Sequence, residues 1–229
     1  MQYLSHRLAE QSAGRGVESQ SRGPLAGTQR ERILDAAERA VAAKGCAGAT
    51  IEGIVKLAGV STVTFYEHFG DKEECLVAAF DRAVGATRRL LREAAPATLP
   101  WAEQVREGLR ALLTAIDADP AGARMCLVEA QMGGPALVAR YDAALDEAVA
   151  KLREGRALDS VKGWLPDGLE QATAGGLAWL LRQRLELGGG AASGGVGELY
   201  PRMVEIALSP YIGGSGAMPT ITEPFAADG

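Results

Sequence analysis

Histidine is scarce in this chain: His6 and His68 are the only two. That leaves little room for imidazole acid–base catalysis or for a multi-histidine metal site. Cysteine is nearly as rare. Cys46, Cys75 and Cys126 make neither a CxxC pair nor an even framework, which suits reduced thiols in the cytoplasm and argues against secretion. No charged-then-apolar leader opens the chain, and no run of about 18 apolar residues is there to cross a bilayer. The HExxH, GxSxG, Walker A and GxGxxG patterns are absent. "GGGAASGG" at 188–195 lacks the Lys-Ser/Thr of a phosphate loop and reads as a flexible connector. Alternating strand patterns are missing too. A net charge of −5 gives no global attraction for nucleic acid or membrane. No cofactor and no metal is expected, and an enzyme is the weaker class.

What is present is apolar residue at helical spacing, 47% of 229 residues, enough for a sizeable core. Residues 1–27 show no lasting period and read as a disordered tail. From Thr28 the pattern changes. "TQRE" is a capping box, followed by Ile33, Ala37, Ala40 and Val41 at helical spacing, with Gly45 placed for a left-handed cap. A short helix runs from Thr50 to Gly59 through Ile51, Ile54, Val55 and Ala58. Two residues separate it from the next N-cap, Ser61, and so tight a turn makes a helix-turn-helix.

The stretch "STVTFYEHFGDKEECL" (61–76) holds one of the two histidines and three of the nine Phe and Tyr residues. Phe65 and Phe69, four apart, share one face and must look back at the first two helices. Val63, Thr64, Tyr66 and Glu67 fall on the opposite side, with Thr62 and His68 at its flanks. "DKEE" makes a second capping box, Asp71 to Glu74, ahead of Leu76, Ala79, Phe80 and Ala83. Beyond Pro96 all is helical: "WAEQVREGLRALLTAIDA", then Asp119–Pro120 as N-cap and first-turn proline, a helix after "GGP" at 133–135, a linker at 155–166, a third box at Asp167–Glu170, and a last helix near 198–208.

The run "TIEGIVKLAGVSTVTFYEHFGDKEECL" resembles the DNA-binding module of the tetracycline-repressor (TetR) family of bacterial regulators. The resemblance is carried by Ala58, Gly59, Val60, Ser61, Thr64, Phe65, Tyr66, His68, Phe69, Lys72 and Glu73. It covers roughly residues 28–80. It implies an all-α fold: a three-helix DNA-binding domain at 28–80, a helical ligand-binding and dimerisation domain at 81–212, and a flexible tail at 213–229.

On that footing, Thr62, Val63 and Thr64 would meet base edges, where Thr donates or accepts and a methyl packs on thymine. Ser61, which caps the same helix, is expected to belong to the DNA-binding set as well. Tyr66, His68 and Lys72 would face phosphates, with Thr50 and Lys56 clamping the backbone from the second helix. For Tyr66 a half-buried core position stays open, and for His68 a cap on its own helix. Over 28–87 seven Lys or Arg meet nine Asp or Glu, so the module is not basic, and doubling the contacts by dimerisation becomes essential.

In the body, Gly175, Gly176, Leu177 and Leu180 with Leu199, Met203 and Ile206 would build a four-helix interface in a homodimer. Trp101, Arg124, Met125, Glu129, Tyr141 and Trp179 would line an effector pocket; plain core is the competing reading for the aromatics and Met125. Cys126 reads as a buried thiol rather than a redox sensor. The expected function is a cytoplasmic repressor on a palindromic operator in double-stranded DNA, released by a small, largely apolar effector. Two alternatives stay open: a regulator without such an effector, acting as an activator or through a protein partner, and an all-helical carrier or enzyme with a structural helix-turn-helix.

Overall fold

The computed structural model describes residues 28–158, 161, 165–187 and 195–212. The expected tails at 1–27 and 213–229, His6, and most of the glycine-rich connector lie outside the described residues. Among those described there is helix and no strand. The order is α1 (Gln29–Gly48), α2 (Ile51–Ala58), α3 (Thr62–His68), α4 (Lys72–Ala94), α5 (Trp101–Ala118) and α6 (Pro120–Arg124). A π turn (Met125–Glu129) and a 3-10 turn (Ala130–Met132) lead to α7 (Pro135–Arg153), and α8 (Leu169–Leu187) and α9 (Tyr200–Ile212) complete the body.

Local chemistry sets the helix ends. Thr28 Oγ1 accepts from the Glu31 amide at 3.3 Å while Glu31 Oε2 accepts from the Thr28 amide at 2.7 Å, closing the first capping box. Gly45 has φ +72°, which breaks the regular helix before the final residues of α1. Asp119 accepts from the Gly122 amide at 3.0 Å, with Pro120 opening α6. The second box is altered. Asp71 caps Glu74 N at 2.8 Å, but Glu74 Oε2 reaches Gly70 N at 2.7 Å rather than Asp71.

Two hydrophobic cores result. The first packs Ile33, Leu34, Ile54, Phe65, Phe69, Leu76 and Phe80 from α1–α4, but also takes in Met125, Ala130 and Leu137 from the body. The boundary expected at residue 80 falls inside α4, which runs unbroken through both parts. The second core gathers α5, α7, α8 and α9 around Leu113, Leu152, Leu181, Met203 and Leu208.

Each core encloses one carboxylate. Glu38 is buried in the first, and Arg82 of α4 reaches it at 2.9 Å and Asp35 at 2.6 Å. Glu170 is 1% exposed in the second. It does not make the cap expected with Asp167: its oxygens accept from Arg156 Nε at 2.6 Å and Nη2 at 3.1 Å, and from the Tyr211 hydroxyl at 3.0 Å. The Arg156 guanidinium holds the Glu170 carboxyl below its ordinary range. The expected linker is also partly core, since Gly155 is buried against the Trp101 and Tyr211 rings, which meet edge to face at 4.8 Å.

Candidate nucleic-acid interface

The turn between α2 and α3 follows from one left-handed residue. Gly59 sits at φ 64°, ψ 39°, a conformation open to glycine and costly for most side chains, and it ends α2 while Val60 packs against the core. Ser61 then starts α3, accepting from the Thr64 amide at 3.0 Å. Phe65 is fully buried and Phe69 2% exposed, and their rings lie 5.6 Å apart. That pair holds α3 to the module, and Thr62, Val63, Tyr66 and Glu67 are turned outward.

Val63 is 70% and Tyr66 55% exposed, with Thr62 and Glu67 exposed beside them. Thr64 is half-buried, its hydroxyl paired with Ser61 Oγ at 3.0 Å. The two hydroxyls therefore share one hydrogen bond within the cap. On α2, Lys56 is exposed, and Thr50 Oγ1 accepts from the Gly53 amide at 3.1 Å, an arrangement that leaves its hydroxyl hydrogen to donate outward. Thr50, Lys56, Ser61, Thr62, Val63 and Tyr66 thus stand together at the surface of one helix-turn-helix.

Two residues expected at phosphates have surroundings unlike the others. Lys72 is half-buried: Nζ donates to the carbonyls of Cys46 at 3.1 Å and Ala49 at 3.0 Å, so the ammonium ties α4 to the end of α1. His68 Nε2 is enclosed and has no hydrogen-bond partner, so this nitrogen is not offered to a phosphate. Sequence reasoning missed Arg30, whose guanidinium stacks over the Phe69 ring at 5.3 Å; the partners lie on different helices, and no local pattern announces them.

The six residues expected to line an effector pocket do not converge. Met125 is fully buried in the first core, with Tyr141 packed at its edge. Trp101 belongs to the second core and donates from Nε1 to the Lys151 carbonyl at 2.9 Å. Arg124 and Glu129 lie between the two parts, 3.7 Å apart, and Trp179 is 56% exposed. Two hollows among the described residues are open grooves. One of about 390 Å³ runs between α4 and α5 along Leu90, Ala94, Arg110, Ala111 and Thr114. Burial pushes the Cys126 thiol up to about 12, which suits an inert core cysteine.

The expected dimer residues also divide. Leu177, Leu180 and Met203 are 8%, 5% and 0% exposed inside the second core, so they are not available to a partner. Gly175, Gly176, Leu199 and Ile206 are half-buried, and a Cβ built on either glycine meets nothing within 4 Å. The outward face of α8 carries Ala172, Gly175, Gly176, Trp179 and Gln183.

This geometry has counterparts among known proteins. The family model of bacterial regulatory proteins of the tetR family matches residues 33–79, which run from α1 into α4. The likeness to that family is shown over this segment, about a fifth of the chain. The chain is 33% identical over 85 residues to the HTH-type transcriptional regulator BetI of Rhizobium meliloti (strain 1021). That match spans 37% of this chain and 40% of BetI. The fatty acid degradation regulator FadR from Bacillus halodurans superposes with a TM-score of 0.65 at 20% identity, over 82% of this chain and 96% of that one. FadR from Bacillus subtilis, solved in complex with stearoyl-CoA, gives 0.66 at 18% identity, over 80% and 98%. Such identities show a shared fold, and it extends well beyond the N-terminal module. Among the described residues no group of three metal-ligating side chains occurs, and no helix is long and apolar enough to cross a membrane.

Proposed function

We propose that this regulator binds a palindromic DNA operator as a homodimer and represses transcription until a small, largely apolar molecule releases it. The observation that carries the DNA reading is the division of α3: Phe65 and Phe69 are buried, whereas Thr62, Val63 and Tyr66 face outward. A recognition helix needs that split, because side chains that read bases cannot also hold the fold. Thr62 and Val63 read base edges, Tyr66 and Thr50 donate to phosphates, and Lys56 adds charge from α2. The experiment is fluorescence anisotropy with the DNA upstream of the protein's own reading frame. Binding to a palindromic site, weakening as salt rises, is expected; no site bound even at low salt would sink the reading.

Dimerisation is assigned to the outer face of α8 rather than to its buried leucines. Trp179 is a large apolar side chain left in solvent beside two glycines, a combination that lets a symmetry-related helix approach closely around an aromatic centre. Trp179→Glu is expected to give monomers in sedimentation velocity, with helicity unchanged. A dimer of undiminished affinity would place the interface elsewhere.

The effector class is carried over from the neighbour bound to stearoyl-CoA: a ligand with a long apolar part. The dispersal of the six expected lining residues favours a second reading, a regulator controlled without a small molecule. Stearoyl-CoA added to the preformed DNA complex separates the two, since release supports the first and an unchanged complex the second.

A further inference from the structure

Apart from α4, the body meets the N-terminal module where α1 lies against α6 and the π turn, and the π turn reaches the end of α1. Glu129, the last residue of that turn, accepts at Oε2 from the Cys46 amide at 3.3 Å, and the Cys46 thiol donates to the Glu129 carbonyl at 3.5 Å. The other carboxylate oxygen lies 3.7 Å from Arg124 Nη2, and Arg124 Nη1 donates to the Leu185 carbonyl of α8 at 3.3 Å. Beyond Cys46 the chain continues to Ala49, the residue before the α2 cap, and Lys72 holds the carbonyls of both. The fit is close. The Glu129 side chain is 15% exposed, and a Cβ at Gly45 would stand 2.9 Å from Oε2. A side chain at that position would crowd the carboxylate away from the neighbouring amide.

We propose that Glu129 is a positioning residue for DNA recognition: its carboxylate, tied to α8 through Arg124, sets where the end of α1, and hence α2 and α3, stand. This rests on the DNA reading above, and the route runs through the backbone of Cys46 rather than along α4. A π turn is a frequent mark of a functional site, because its extra residue must be held by tertiary contacts. A carboxylate gripping an amide is a charge-assisted hydrogen bond, and deleting it leaves a part-buried donor without a partner. The segment that follows should then open more readily.

Amide hydrogen exchange on the full chain without DNA tests this, with residues 44–60 as probe and 145–153 of α7 as internal reference. Glu129→Ala is expected to speed exchange at 44–60 about tenfold, with the reference within about twofold. Glu129→Gln, which keeps an oxygen for the Cys46 amide but gives up the charge facing Arg124, is expected to raise exchange there by about threefold at most. Unchanged exchange in the Ala variant, or equal loss in the Gln variant, overturns the clasp. Arg124→Ala leaves Glu129 and Cys46 in place and is expected to give about a threefold rise; none would overturn the tie to α8. The same proteins are then titrated onto the upstream DNA, where Glu129→Ala should bind about tenfold more weakly. Faster exchange with unaltered DNA affinity overturns the positioning role. A parent protein that binds no DNA removes the functional reading, while the exchange result still decides the clasp.

Discussion

Arg82→Ala is expected to cost about 3 kcal/mol or more, enough to lower the melting temperature by about 6 °C or more in a chain of this size. The reason is the carboxylate it would leave behind. Glu38 sits on α1 with its side chain 8% exposed, and Arg82 of α4 is the cation that meets it, at 2.9 Å. Burial pushes the Glu38 carboxyl above its ordinary value, and the hydrogen bond and charge of Arg82 pull it partly back. The exposed half of the bridge, to Asp35 at 56% exposure, contributes little by comparison. The sign of the pH dependence follows. A carboxyl whose folded pKa is raised favours the folded state below its ordinary value and loses that favour as pH rises through the raised one. Without Arg82 the folded value climbs further, so the variant's deficit against the parent should shrink between pH 8 and pH 5.5 as Glu38 takes up a proton. Glu38→Gln in the Arg82→Ala background should recover more than half of the loss. Urea melts at the two pH values check this, and a deficit below about 1 kcal/mol, or one equal at both, would refute it.

What could be read from the chain and what could not divide along a physical line. Features decided within one helical turn were legible: the Thr28–Glu31 box, Gly59 as the left-handed stop of α2, Asp119–Pro120 opening α6, and α5 over Trp101–Ala118. So was the split of α3, because Phe65 and Phe69 repeat at four and Val63 and Tyr66 fall opposite them. Features decided by a distant partner were not. Lys72 looked free because its acceptors lie 23 and 26 residues away, and Glu129 looked like a pocket group because Cys46 is 83 residues distant. On α8 the pattern itself was mute. Ala, Gly, Leu and Trp surround the helix almost completely, so periodicity did not say which side faces in, and Leu177 and Trp179 were each assigned to the wrong surroundings.

Val63→Glu is expected to weaken operator binding by at least about 30-fold without harming the fold. At 70% exposure Val63 makes no part of either core, so stability should change by no more than about 0.5 kcal/mol. The same side chain stands second in α3, where a recognition helix meets base edges, and there a carboxylate faces the acceptor-rich groove and the phosphates beside it. Each lost base contact is worth about 1–3 kcal/mol, and a palindrome counts it twice, so the two half-sites together give about 2–6 kcal/mol. The module already carries more acid than base, which leaves no surplus of nonspecific attraction to mask the loss. Two controls separate charge from place. Ala148→Glu makes the same change of charge on an exposed position of α7 and should leave affinity within about twofold. Val63→Lys should lose the operator's preference over unrelated DNA while steepening the salt dependence, since a cation at this position gains phosphate contact as it gives up the methyl contact with a base. If Val63→Glu and Ala148→Glu bound the operator equally well, α3 would not be the reading helix, whatever its resemblance to one.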